Sequence, residues 1–400
     1  MPRSTLIPVL LASLALSPAA PADDALETGR RILEAQRAPR PELLGEEVWE
    51  VRIGTETVGY YRTVTRADEF EGKPVYAIRG SSLFQSGEER DLMEYVYYAY
   101  PDLSAAHYQR NRFSGGNREG EGNPGATPIE TFLLVLQGDR WVLRTGEGGG
   151  EVPVEPGVVG FDLAPHLVRL LSPEEGSRTA FRMLDEDGTI RRIDFATGAR
   201  EEIETSLGRV AAVRIDQSGL RHRSGAPLGF AFWVAGGKIP RFEARIGDGP
   251  PIRFEGISPE RFRSFWWSPT DAAVEFLEAL SRRDRSALAN LVAFRESFFL
   301  SLSRNLLHQN LSDEELLGLW EKTGPTYREA LLDSLVRDDP AAALAARRGP
   351  VQRDRLRAVE SGTGERAVVR YSPEPGTSIY LYLGRGEEGW RVTYLNEGQK

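Results

Sequence analysis

The chain contains no cysteine, which removes disulfides, thiol nucleophiles and thiolate metal sites together, and leaves no lipidation cysteine behind the N-terminal apolar run. Lysine is nearly as scarce. It occurs only at Lys73, Lys238, Lys322 and Lys400, so the cations are arginines, and the formal net charge is -9 with no basic stripe. That balance excludes nucleic acid as an expected partner. The histidines, His107, His166, His222 and His308, fall on separate elements with no H-E-x-x-H or comparable spacing, so no metal site is predicted. A G-x-S-x-G elbow and a phosphate-binding loop are also missing, and no cofactor or catalytic residue is assigned. Carboxylates that meet only in space are invisible at this level. Long apolar runs are absent too: Leu6 to Leu16 is too short to cross a bilayer, and no second run is longer.

That short run reads instead as a signal. Arg3 supplies a positive start, Leu6 to Leu16 the apolar centre, and Ala20-Pro21-Ala22 a small-residue cleavage site. Residues 1–22 are therefore expected to be a signal peptide, and the mature chain to be periplasmic or secreted, without a transmembrane span and with peripheral envelope association open.

The chain is organised around Gly229 to Arg245, GFAFWVAGGKIPRFEAR. Two strands are expected there, joined across Gly236-Gly237, a pair that tolerates the positive φ angles of a tight hairpin. Phe230, Phe232 and Val234 alternate with Ala231, Trp233 and Ala235, so both faces of the first strand are apolar and both need cover.

Before this hairpin, Ala25 to Gln36 predicts a short helix, and strands are expected from Val48 onward in an antiparallel meander that includes Tyr95, Tyr97, Tyr98 and Tyr100. Phe113 to Pro128 is too Gly-rich to pack and reads as a loop, Gly146 to Gly150 as a second flexible stretch. Phe161 to Leu171 reads as a capping helix, on which His166 is a packing residue. Asp185 to Gly188 lacks the spacing of a calcium loop and is taken as a hairpin turn. Residues 257–268 form a linker crowded with Phe262, Phe265, Trp266 and Trp267. From Pro269 the period becomes helical, with Ser268 or Thr270 as cap, a capping box at Ser312 and Glu315, and breaks at Pro325, Pro340 and Pro350. Strands return from Leu356. The expected organisation is thus a helical segment 23–45, a sheet domain 46–256, the linker, and an α+β domain 269–400.

The opening EVWEVRIGTETVGYYRTV, the segments VVGFDLAPHLVRLL and LGRVAAVRID, and the ending Lys238-Ile239-Pro240-Arg241-Phe242-Glu243 make residues 46–256 resemble the half-barrel envelope proteins related to lipoprotein-localisation carriers. The resemblance implies a curved antiparallel half-barrel with capping helices whose concave face takes an acyl chain or similar ligand. Size, the Gly-rich loop and a second domain depart from the true carriers. SPTDAAVEFLEALSRRDRSAL and EEGWRVTYL make the second domain similar to the cone-shaped fold of nuclear transport factor two. The fold class expected is α+β, a half-barrel followed by a smaller cone-like domain.

Three functions follow from these readings. The first is a non-enzymatic envelope protein binding a hydrophobic small molecule or lipid along Tyr97, Phe230, Phe232, Trp233 and Phe242. The second is an enzyme with an acid/base pair in the cone-domain cavity, and the third a structural or assembly protein without a ligand.

Overall fold

The computed structural model describes residues 22–86, 89–116, 129–146, 148–222, 224–304, 311–337, 351, 355–361, 365–374, 377–386 and 389–398. Residues 1–21 of the stretch read as a signal, residues 117–128 of the Gly-rich stretch, and His308, Pro340 and Pro350 lie outside them.

The fold is α+β: a large curved antiparallel sheet forms a half-barrel, and a smaller sheet with its own helices lies against it. Two runs of hairpins build the large sheet. The outgoing run is β1 (Gly45–Ile53), β2 (Glu56–Phe70), β3 (Lys73–Ser86), β4 (Glu89–Ala99), β5 (Ala105–Gly116), β6 (Glu130–Gln137), β7 (Arg140–Thr145) and β8 (Gly148–Pro153). The returning run is β9 (Val158–Val159), β10 (Arg178–Leu184), β11 (Ile190–Thr205), β12 (Gly208–Arg221), β13 (Pro227–Ala235), β14 (Lys238–Ile246) and β15 (Ile252–Ile257). They meet where β1 pairs with β15, so the order is β8 to β1, then β15 to β9; among the described residues of this sheet only β9 pairs in parallel, with β10.

Curvature follows from contacts that a flat sheet forbids. Ten strand spacings separate β5 from β10, about 48 Å in a flat sheet. Yet Arg110 on β5 pairs with Glu186 in the turn after β10, and the Gly160 N–H donates to Leu103 O at 3.0 Å. The sheet is therefore rolled until its arms nearly touch. Hairpin connections alternate between the two ends of the roll. At one end α1 (Ala22–Glu34), a single 3-10 turn at Pro41–Leu43 and α2 (Ala164–Leu167), extended by a 3-10 turn at Val168–Leu170, insert Leu33, Leu43, Leu163, Leu167 and Val168 into the interior core. Helix α1 approaches β10 so closely that a Cβ on Gly29 would stand 2.0 Å from the Ala180 carbonyl oxygen.

The organising hairpin lies at β13–β14, and Gly236 and Gly237 adopt φ of 56° and 75°, the left-handed pair its tight turn requires. Asp185 to Gly188 is a turn, closed by Gly188 N–H to Asp185 O at 3.0 Å. Several sequence expectations change. Phe113 to Gly116, read as the start of the Gly-rich loop, belong to β5 and pair with β4. The stretch beginning at Gly148 is a strand, because an edge strand needs one partner only, and β7 provides it. The capping helix is shorter than Phe161 to Leu171, since Asp162 takes a left-handed φ of 60° and Leu171 turns extended.

Residues 257–268 contain α3 (Pro259–Phe265), capped by Ser258, whose hydroxyl accepts from Arg261 N–H at 3.2 Å. The Phe262 and Trp266 rings pack on Tyr60 from the outer face of β2, at centroid distances of 4.9 and 5.6 Å. Then come α4 (Pro269–Ser281), with a Ser268–Asp271 capping box, α5 (Arg285–Leu291), α6 (Phe294–Arg304) and α7 (Asp313–Arg337). Pro325 does not break α7; the Phe298 ring of α6 packs on Trp320 before it and Tyr327 after it, bracing both halves. Strands β16 (Leu356–Ser361), β17 (Arg366–Glu374), β18 (Thr377–Gly386) and β19 (Gly389–Gly398) form a four-stranded antiparallel meander, whose core joins α4, α5 and the outer face of β1, β2 and β15 through Val48, Tyr60 and Ile257.

Candidate functional site

The concave face of the half-barrel carries a rung of rings dictated by strand register. Val51, Phe254, Phe242, Phe232 and Ile215 stand side by side on β1, β15, β14, β13 and β12, and all face inward. The Phe242 and Phe254 rings stack at 4.1 Å and 10°, Phe232 on Phe242 at 5.6 Å, and Phe230 on Phe232 at 5.7 Å. Trp49 crosses Phe242 edge-on at 5.4 Å, its indole N–H donating to Ile239 O at 2.7 Å. Such pairs add roughly 0.5–1.5 kcal/mol each beyond area burial, so this rung is a stiff wall.

Burial changes along the roll. Phe232 and Phe242 are buried, whereas Phe230, Val58, Phe84, Leu220 and Ile252 pack against the same core but are only partly covered. These half-covered apolar groups lie toward the hairpin ends opposite α1 and α2, and Ile32, Leu44, Leu136 and Val234 are half-covered at the helix-capped end, so the buried part of the wall is its middle.

Beside the wall lies a polar group of the same concavity. Asp162 is solvent-accessible although protein surrounds it, and its carboxylate accepts from the Tyr108 hydroxyl at 3.2 Å. Enclosure, then the nearby Glu186 carboxylate, raise its pKa to about 6, against the opposing pull of Arg110. Burial in turn pushes the phenols of Tyr61, Tyr95, Tyr97 and Tyr108 up, with Asp162 adding to each shift. The Tyr61 and Tyr95 hydroxyls share a hydrogen bond of 2.7 Å. Tyr97 differs: its buried hydroxyl has no hydrogen-bond partner among the described residues, and a Cβ at Gly160 would stand 1.4 Å from it. The concavity thus combines an apolar wall with an accessible carboxyl flanked by phenols.

Of the residues singled out from sequence, the structure brings Tyr97, Phe230, Phe232 and Phe242 onto this face and not Trp233. Trp233 points through the other side of β13, packing with Ile203 and Ala212 beneath Arg214 and Arg241 and donating its indole N–H to Glu201. Sequence reading missed Asp162, Tyr61 and Tyr108, since nothing local marks them; a non-glycine in the left-handed region is visible only in three dimensions. Among the described residues no cluster of His, Cys, Asp and Glu could hold a metal ion, and no helix is long and apolar enough to cross a membrane.

No family model and no curated protein sequence matches the chain. Among solved structures it is similar to a beta-barrel-like protein of the domain of unknown function DUF1849 from Brucella abortus, at 7% identity and a TM-score of 0.36, over 53% of this chain and 95% of that one. It is also similar to the hypothetical lipoprotein YmcC from Escherichia coli, at 12% identity and a TM-score of 0.23, over 57% of this chain and 94% of that one. These are weak likenesses of shape, and neither name assigns an activity.

Proposed function

We propose that this is an exported, non-enzymatic envelope protein that binds an elongated apolar ligand in the mouth of the half-barrel. The observation that carries the reading is the set of half-covered apolar groups at the end of the concave face away from α1 and α2: Phe230, Val58, Phe84, Leu220 and Ile252 flank the buried Phe232 and Phe242. Contiguous apolar groups lining a concavity favour an apolar guest, because each square ångström they lose to water contributes about 25 cal/mol. The signal-like sequence at residues 1–22 supports the compartment.

The polar part of the concavity refines the ligand. With Asp162, Glu186 and Asp185 close together and Arg110 already paired with Glu130 and Glu186, a carboxylate head group would meet net negative charge. A neutral or cationic hydrogen-bond donor suits it better. Competition against N-phenyl-1-naphthylamine at pH 7.5 tests this: dodecan-1-ol and dodecylamine displace the dye at lower concentration than dodecanoate. Dodecanoate winning would reject the head-group assignment.

A further inference from the structure

On the opposite side of the sheet, a groove runs between the outer face of β2–β4 and helices α4 and α5. It widens into two cavities of ≈ 470 and ≈ 370 Å³, and Arg66 lines both. The neighbouring charges are already engaged with one another, four arginines with three glutamates. Arg62 holds Glu46 at 2.8 Å and also pairs with Glu275; Arg263 reaches Glu46 at 2.9 Å; Arg79 and Arg282 both engage Glu278, the latter at 3.4 Å. Arg66 alone of this group has no ion pair or hydrogen bond among the described residues. Asp68 and Glu69 lie at the exposed outer rim, and Asp284 is occupied in capping α5 through Ala287 N–H at 3.0 Å.

An arginine half-withdrawn from water with its carboxylate neighbours already engaged costs stability unless something compensates it. Burial, with Arg282 nearby, accordingly lowers its pKa. The walls mix these charged groups with apolar patches, Val64 and Leu291 in one cavity and Val64, Val96 and Tyr98 in the other. We infer that this groove is a second ligand site, separate from the half-barrel mouth, which takes an organic monoanion: a carboxylate on the Arg66 guanidinium with an apolar body along one cavity. Arg66 is the guanidinium of this lining that no ion pair engages among the described residues, and its fork fits a carboxylate with two parallel hydrogen bonds.

Calorimetric titration of the full-length protein with 4-phenylbutyrate and with its neutral amide tests the site. The acid is expected to bind roughly tenfold or more tightly than the amide, as a charge-assisted contact requires. Arg66→Met should bring the acid down to the affinity of the amide while the thermal midpoint stays level or rises. Phe230→Asp, in the other site, should leave the acid unchanged. Equal affinity for acid and amide, no binding of the acid, retention of binding by Arg66→Met, or loss of it in Phe230→Asp would each overturn the inference. The acid–amide comparison uses unmodified protein, so it stands even if a variant fails to fold.

Discussion

The Tyr108 hydroxyl stands 3.2 Å from a carboxylate oxygen of Asp162, a residue whose left-handed φ of 60° aims it into the half-barrel. Enclosure holds that carboxyl at a pKa of about 6, above its ordinary 3.8. A raised value means the protonated form fits the fold better, so its contribution to stability is full below pH 3.8 and is lost as pH rises through 6. Water reaching the side chain moderates the size of the effect. Carbon-detected NMR titration should place the Asp162 midpoint near 6. Because the Tyr108 hydrogen bond lowers the value, Tyr108→Phe should move it higher still; a midpoint near 4 would show the carboxyl to be freely hydrated.

His166 gives the opposite slope. Its ring is buried, Nε2 lies 3.0 Å from the Thr65 hydroxyl, and burial pushes its pKa down to about 4 from 6.5. Its contribution is present above pH 6.5 and lost as pH falls through 4, amounting to about 3 kcal/mol. Denaturant unfolding at pH 7 and pH 4 should therefore show a smaller loss for His166→Gln than for the unaltered protein. An identical loss in both would show that His166 is not buried neutral.

The divide between what the sequence discloses and what it hides falls along locality. The hairpin at Gly236-Gly237, the cap at Ser268, the capping box at Ser312 and the helical period after Pro269 are written in neighbouring residues, and the structure has them. Alternation along β13 separated Phe230 and Phe232 from Trp233, but parity does not say which set faces inward; the pairing of β1 with β15 decides that. Asp162 was hidden because its role depends on Tyr108 and Glu186, which chain proximity does not bring near. Pro325 misled because a proline signal is local, while the Phe298 packing that braces α7 is not.

Gly160 and Tyr97 should behave as a coupled pair. With a Cβ at 160 only 1.4 Å from the Tyr97 hydroxyl, Gly160→Ala overpacks the core and should cost on the order of 1–3 kcal/mol or more. Tyr97→Phe removes a buried hydroxyl without a partner among the described residues and should be neutral or stabilising by about 1 kcal/mol. Combined, the second change should recover part of the loss from the first. Strict additivity in thermal unfolding would contradict the contact.

Arg62 ties the outer face of β2 to α4 by holding Glu46 and Glu275 together while buried itself. Arg62→Met leaves Glu275 without its ion-pair partner and Glu46 with Arg263 alone, and should cost roughly 3–5 kcal/mol. Arg62→Lys should rescue little, because one ammonium cannot reproduce the fork that reaches both acids. Full rescue in urea unfolding would mean that charge alone matters there.

The most direct test of the account is uptake of N-phenyl-1-naphthylamine, whose fluorescence rises on leaving water. The unaltered protein should bind it saturably. Phe230→Asp, at a half-covered position of the mouth, should lose roughly tenfold or more in affinity while the domain stays folded, its unfolding midpoint falling only modestly with the lost Phe232 stack, since a charge there stays hydrated. Phe232→Asp, in the buried floor, should instead unfold the half-barrel. A protein that takes up no dye, or a Phe230→Asp variant that binds as well as the original, would contradict the claim that the mouth of the half-barrel is a site for an apolar ligand.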